Sequence, residues 1–371
     1  MTDTTTTPAA GGGLCVGECA DGTPWELNPA KFNRHTFWCG QSGSGKTYAL
    51  GVVLERLLLT TALPLLILDP NADFVELNRP TPGATDDERE RLAAADIRVL
   101  RSGPPRADSV PLRVPFVELS PASQAAVLRL DPLADAEEYN VLLKSSERAQ
   151  DFDAARMLAS LRASGDPGQA RLATRMENLR VLDWDVWSRG GDSALAVIEE
   201  RPAATVLDIG GFQESEEALT VALAVLDALW ERRAERRPLL IVLEEAHNLC
   251  PPDPATPLAR AVVERLIRIA AEGRKFGLWL LLSTQRPSKV HPQVLSQCDN
   301  LGLLRVNSPR DLEDLAEAFG FAPEELVRQA TGFGLGQALF AGGFAPRATV
   351  ARLRQRITVE GGADVAVPLR R

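Results

Sequence analysis

Eight consecutive residues, Gly40-Gln41-Ser42-Gly43-Ser44-Gly45-Lys46-Thr47, place a glycine, four residues and then Gly-Lys-Thr in one run. Glycines in that spacing let successive backbone N–H groups turn inward around an anion. The lysine can reach the outer phosphates of ATP, and the hydroxyl after it can hold Mg²⁺. Tyr48 follows directly, so Gly40 to Tyr48 is the candidate nucleotide-binding segment. The chain has five lysines in 371 residues. The four fixed positions would therefore arise by chance only roughly 0.003 times in the whole sequence. Hydrolysis also needs an acid beside the metal and a base for the attacking water. Leu239 to Leu243, five apolar residues, run into Glu244 and Glu245, which supply both: Thr47 and Glu244 on the Mg²⁺ side, Glu245 one residue on, toward the γ-phosphate.

Lys46 and Glu244 lie 198 positions apart, so a sheet must bring them together, and Glu-Glu-Ala-His is not read as a helicase DEAH box, where the acid lies much nearer the loop. A third apolar run, Leu278 to Leu282, ends in Ser283-Thr284-Gln285-Arg286-Pro287, and Gln285 is the candidate to sense the γ-phosphate or orient the water. Asp69 and Asp73, in Asp69-Pro70-Asn71-Ala72-Asp73-Phe74, end another such run; they read equally as turn formers and as site acids at the edge where ligands bind in such folds.

The elements that position these groups are legible as alternating apolar strands and helices. His35 to Cys39 leads into the glycine-rich loop, a helical pattern follows from Lys46 to about Leu59, and Leu65 to Leu68 is the next strand, a βαβ unit. Further strands are expected at Ile97 to Leu100, Ala204 to Ile209, Leu239 to Leu243, Leu278 to Leu282 and Leu301 to Val306, with a terminal hairpin at Gly336 to Phe340 and Ala348 to Leu353. Helices are expected over Glu216 to Arg233, from the Thr256 cap and Pro257 to a stop at Gly273, and over Pro309 to Phe319. The expected class is α/β: a RecA-like P-loop core, a mostly parallel sheet covered by helices on both faces. Its expected divisions are a disordered tail over 1–13, a short β preamble over 14–34 with a turn at Asp21-Gly22, core over 35–119, a helical insertion over 120–191 whose Trp184 and Trp187 pack on the core, core again over 192–343, and an arm over 344–371.

Composition excludes other classes. Of the residues 45% are apolar and 25% charged, and 50 acids against 41 bases leave a net charge of −9. The bulk is neither disordered nor fibrous, and a protein that coats nucleic acid through a basic exterior is excluded. No run approaches the roughly 18 apolar residues of a membrane span. The start has no basic n-region followed by an apolar segment, so it is not a secretory signal. Five scattered cysteines without metal spacing read as free thiols of a cytoplasmic protein.

The order GQSGSGKT, LDPNADF, VLDIGGF, VLEEAHNLCP, AAEGRKFGLWLLLSTQRPSKVHPQVLSQCDN and LRVNSPRDL resembles the HerA branch of the HerA–FtsK ATPases, over about residues 30–356. The resemblance implies a homo-hexameric ring, ATP and Mg²⁺ between neighbouring subunits, and double-stranded DNA driven through the central pore. It also implies a trans-acting arginine at Arg274 and a second conserved arginine at Arg34. Two departures stand out: only about 30 residues precede the core, where relatives carry a larger β-barrel that helps dock the nuclease NurA, and LDPNADF keeps an acid at Asp73 but loses the glycine and longer carboxylate of its counterparts. The resulting expectation is a DNA translocase serving DNA processing or anti-phage defence with a partner effector. The alternatives are an ATP-gated scaffold for a partner nuclease without processive movement, and a viral-type genome-packaging ATPase. A ring needs positive charge only where DNA passes. Residues 344–371, with six arginines and two acids, and Arg260 to Lys275, with five bases and two acids, are the candidate positive segments.

Overall fold

The apolar runs become the centre of one twelve-stranded sheet in the computed structural model, which describes residues 12–103, 110–146, 154–188 and 193–362. Its strands are β1 (Leu14–Glu18), β2 (Pro24–Leu27), β3 (His35–Cys39), β4 (Leu65–Asp69), β5 (Ile97–Arg101), β6 (Val110–Pro111), β7 (Ala204–Asp208), β8 (Leu239–Leu243), β9 (Leu278–Thr284), β10 (Cys298–Leu303), β11 (Gln337–Gly342) and β12 (Thr349–Leu353). They lie in the order β2-β1-β12-β11-β10-β3-β9-β8-β4-β7-β5-β6. From β10 to β6 every pairing is parallel; β11, β12, β1 and β2 add an antiparallel flank. The fold is thus α/β with a mostly parallel sheet.

Strands buried on both faces need apolar residues at every position, and side chains then alternate between two cores. Phe37, Leu66, Leu68, Ile241, Leu243, Leu280 and Leu282 face one core; Trp38, Leu65, Ile67, Leu240, Val242 and Leu281 face the other. The second core is closed by the helix Lys46–Thr60, here α1, whose Ala49, Leu50, Val53, Leu54 and Leu57 are fully buried. The first is closed by the helices Ser215–Glu231 and Pro257–Glu272 and by residues of the 121–187 segment, which forms four helices over Pro121–Val127, Ala136–Ser146, Ala154–Ala163 and Pro167–Leu179. There Trp184 and Trp187 stack with ring centroids 6.1 Å apart, and Phe116 meets Trp187 edge-on at 5.1 Å.

Thr256 caps its helix by accepting from Ala259 N–H at 3.1 Å, and Gly22 turns the first hairpin at φ 80°. One expected strand is shifted. β10 runs from Cys298 to Leu303 and ends where its neighbour β3 ends, at Cys39; beyond that point Leu304 N–H still bonds to Cys39 O and Gln41 N–H to Arg305 O, which ties the chain to the base of the glycine-rich loop. All five cysteines are free thiols. Among the described residues no helix is long and apolar enough to cross a membrane. The tail expected over 1–13 lies, up to residue 11, outside the described residues.

His35, the first residue of β3, ties two elements together. Its Nε2–H donates to Ala270 O at 3.0 Å and its Nδ1 accepts from Leu280 N–H at 2.9 Å, a pairing only the neutral Nε2–H tautomer satisfies. Burial, then the charges of Arg274 and Arg34, push its imidazole down to about 4 from an ordinary 6.5. The unfolded chain then binds the proton more readily than the folded one. Stability is expected to be full above about pH 6.5 and to fall as pH drops toward 4, by about 3 kcal/mol in all. Urea melts at pH 7.5 and 4.5 should show this slope, and His35→Gln should flatten it. A variant as acid-sensitive as the parent would overturn the assignment.

Candidate active site

The glycine-rich loop joins the C-terminal end of β3 to α1. Gly43 and Gly45 take positive φ, 70° and 82°, as the inward turn of the backbone requires. Gly40 has no room for a side chain, since a Cβ would stand 2.7 Å from both Leu304 Cβ and Ser44 Oγ. Gln41 Oε1 accepts from Asn307 N–H and Arg305 donates to Gly43 O, so the loop is held from its outer side. Ser42 and Gly43 are exposed at its tip.

Lys46 is buried and points back across the sheet. Its Nζ lies 2.7 and 3.0 Å from the two Glu244 oxygens, 3.0 Å from Ser283 Oγ and 3.4 Å from Glu245 Oε1. Burial works against the ammonium, but Glu244 and Glu245 outweigh it and hold Lys46 charged. Thr47 Oγ1 is 3.4 Å from Glu244 Oε1. The residues fit ATP and Mg²⁺: the loop forms an anion cradle, the buried Ser44 Oγ has no partner, and a hydroxyl and a carboxylate stand side by side.

Strand order explains the convergence. β9 lies between β3 and β8, so its C-terminal residues stand between the glycine-rich loop and the two glutamates. Gln285 donates through Nε2 to Glu245 Oε1 at 2.6 Å, and its backbone N–H is 3.4 Å from Oε2. His247 Nδ1 lies 3.2 Å from Glu245 Oε2 and 3.0 Å from Thr284 Oγ1. Burial pushes the Glu245 carboxyl up, but the His247 hydrogen bond, the Lys46 charge and the Gln285 hydrogen bonds prevail and hold it at about 2. Glu245 also sits at φ 45°, a left-handed conformation that is strained for a side chain of this type and recurs where geometry serves chemistry. Ser283 and His247 were not singled out in the sequence; their only signal is position, at a strand end and two residues after Glu245.

Asp69 does the work of a turn former, with Oδ2 accepting from Phe74 N–H at 2.8 Å and Oδ1 from Asn71 N–H at 3.2 Å. Asp73 is half-buried; burial, then the charges of Asp69 and Glu244, raise its carboxyl to about 7, with Lys46 opposing. Tyr48 stands apart from the phosphate loop's tip: its hydroxyl accepts from Arg356 N–H at 2.7 Å.

The two remaining candidates are brought together elsewhere. Arg274 and Arg34 both pair with Asp299, Arg34 at 3.6 Å. Arg34 precedes β3 and Arg274 precedes β9, so both lie at the N-terminal edge of the parallel strands, while Lys46 lies past the C-terminal edge. A five-residue strand, about 16 Å, separates them. The two segments expected to be positive are only partly exposed: Arg347 and Arg352 lie on the surface, but others are enclosed or paired. Arg356 is only 2% exposed and paired with Glu55, Arg354 is 3.7 Å from Glu88, and Arg370 and Arg371 lie outside the described residues. Arg265 pairs with Asp227 and Lys275 with Glu272. Arg260 and Arg268 are exposed on the outer face of their helix.

The family described as "Helicase HerA, central domain" matches residues 14–229. The DNA double-strand break repair helicase HerA of Pyrococcus furiosus is 22% identical over 362 residues, covering 84% of this chain and 63% of that protein. The probable DNA double-strand break repair helicase HerA of Methanocaldococcus jannaschii is 32% identical over 131 residues, covering 35% of this chain and 25% of that protein. This chain thus spans less than two thirds of the length of these relatives. Among solved structures, VirB4 of Thermoanaerobacter pseudethanolicus superposes with a TM-score of 0.61 at 15% identity, covering 94% of this chain and 98% of that one, a likeness of fold.

Proposed function

The chain belongs to the HerA helicase central-domain family, and from that premise we propose that it is a ring-forming ATPase that moves double-stranded DNA. The observation that carries the reading is the continuous contact Thr47–Glu244–Lys46–Glu245–Gln285, which joins three strand ends into one hydrolytic site. Lys46 and the loop amides bind the phosphates. Thr47 and Glu244 hold Mg²⁺, which when bound supplies charge neutralisation at the phosphates. Glu245 takes the proton of the attacking water, and Gln285 orients that water through its hold on Glu245.

Phosphoryl transfer gains most from positioned positive charge, so an arginine from a neighbour would couple hydrolysis to assembly. Arg274 and Arg34 suit that role in a homo-hexamer because neither can reach the nucleotide of its own subunit. Of the two positive segments, Arg260, Arg268, Arg347 and Arg352 are exposed and remain for a polymer or a neighbouring copy. With a net charge of −9 the isolated subunit is expected to bind DNA weakly.

The test is ATP hydrolysis with and without linear double-stranded DNA, on material whose subunit number has been measured. Stimulation of about tenfold or more, falling with salt, supports the motor. Assembly into rings whose hydrolysis ignores DNA would overturn it in favour of a scaffold for a partner nuclease or defence effector.

A further inference from the structure

The chain after β12 returns across α1 and fastens there. Glu55, in the third turn of α1, is fully buried; Oε2 accepts from Ile357 N–H at 3.0 Å and Oε1 from Thr358 N–H at 2.8 Å, and the Thr358 hydroxyl donates to Oε1 as well. Arg356 lies between them and the phosphate-binding end of the helix. Its Nε is 3.5 Å from Glu55 Oε1, its guanidinium covers the Phe74 ring at 5.3 Å, and Nη2 donates to Asp73 O and Val359 O at 3.4 Å. Its own N–H donates to Tyr48, two residues after Lys46. Gly51 makes the crossing possible, since a Cβ there would stand 2.7 Å from Arg356 Nε.

The same segment continues onto the turn after β4. Gly361 N–H donates to Asp73 O at 3.0 Å, Thr81 N–H to Ile357 O and Val359 N–H to Arg79 O. One buried arginine therefore touches both the helix that carries Lys46 and Thr47 and the backbone of Asp73, whose carboxyl stands in the field of Lys46 and Glu244. A charge buried this deeply is expensive unless every partner is in place. The arrangement satisfies Glu55 fully, and of Arg356 it leaves only Nη1 without a hydrogen bond, 3.9 Å from Glu360.

We propose that residues 354–362 form a strap in which Arg356 is a positioning residue for ATP hydrolysis, holding α1 and Asp73 in the register the reaction needs. The proposal rests on the ATPase reading. That reading is checked separately by Lys46→Ala, which is inactive if it holds, whatever the strap does.

The experiment is a double-mutant cycle on kcat with the full chain, at a temperature where circular dichroism shows every variant folded. Asp73→Asn and Arg356→Ala are each expected to lower kcat about tenfold, and the pair together clearly less than the roughly hundredfold of independent losses, because part of what Arg356 does is to hold Asp73. Affinity for a non-hydrolysable ATP analogue should stay within about threefold, which separates positioning from loss of the binding site. Leu172→Ala, buried in the helix Pro167–Leu179, serves as a stability control and should leave kcat unchanged. If Arg356→Ala does not fold, Gly51→Ala and Thr358→Val disturb the same contacts and are read in the same cycle. A kcat unaffected by Arg356→Ala or by Asp73→Asn, or losses that simply multiply in the double variant, would overturn the proposal.

Discussion

Glu245→Gln is expected to lower ATP turnover by about 10²- to 10³-fold while ATP still binds, a loss of roughly 3–4 kcal/mol of transition-state stabilisation. The substitution keeps shape and an acceptor oxygen but removes the charge and the basicity. Glu245 is held ionised by His247, Lys46 and Gln285, and with its backbone left-handed at φ 45° its carboxylate stands 3.4 Å from Lys46 Nζ. Turning of the Lys46 ammonium toward a phosphate is expected to weaken that contact. Freed of the lysine, the carboxylate becomes the stronger base, so nucleotide binding is expected to activate it. Single-turnover hydrolysis together with equilibrium binding of ATP checks this. Parent-like turnover in Glu245→Gln would remove Glu245 from the chemistry, and loss of binding would assign it to the ground state instead. Lys46→Ala, by contrast, should lose both, because Lys46 is also the ion partner of the fully buried Glu244.

Arg274→Ala is expected to cost about 10³-fold or more in turnover, the scale of an arginine supplied in trans to a transferring phosphoryl group. Within one subunit the substitution breaks only an exposed pair with Asp299 and leaves Lys46, Glu244 and Glu245 untouched, so stability should change little. The decisive measurement mixes two inactive proteins. Arg274→Ala retains an intact phosphate loop and Lys46→Ala retains an intact arginine; a mixed ring contains interfaces with both intact, and activity should reappear. Mixtures that assemble but stay inactive would place Arg274 outside the reaction. Arg34, further from Asp299 at 3.6 Å, is the second arginine of the same edge.

Much of this site is legible in the amino-acid order because its chemistry is local. Eight adjacent residues suffice to build an anion cradle, and an apolar run ending in two carboxylates announces a buried strand with acids at its tip. The order of motifs likewise carries the resemblance to the family, which the match over residues 14–229 bears out. β10 starts three residues before the apolar run at Leu301 because Cys298-Asp299-Asn300 is polar yet pairs with its neighbours, while Leu304 and Val306 are buried beyond the strand's end; an apolar residue reads the same whether it pairs in a sheet or covers one.

Charge is where linear reading is weakest, since a side chain's partner is set by where the chain returns. Six arginines after residue 343 look like one positive surface, yet Arg356 is enclosed with Glu55, some 300 positions away, and Arg354 lies beside Glu88. Arg34 and Arg274 look unrelated until parallel pairing of β3 and β9 sets their starts side by side at Asp299. The amino-acid order by itself determined which groups could bind a triphosphate and activate water. The order of strands, with β9 between β3 and β8, is what packs Lys46, Glu244, Glu245 and Gln285 within bonding distance and sends both arginines to the opposite edge. Hydrogen-bonded sheets convert sequence separations of two hundred residues into a few ångströms across strands, and no local pattern encodes which strands become neighbours.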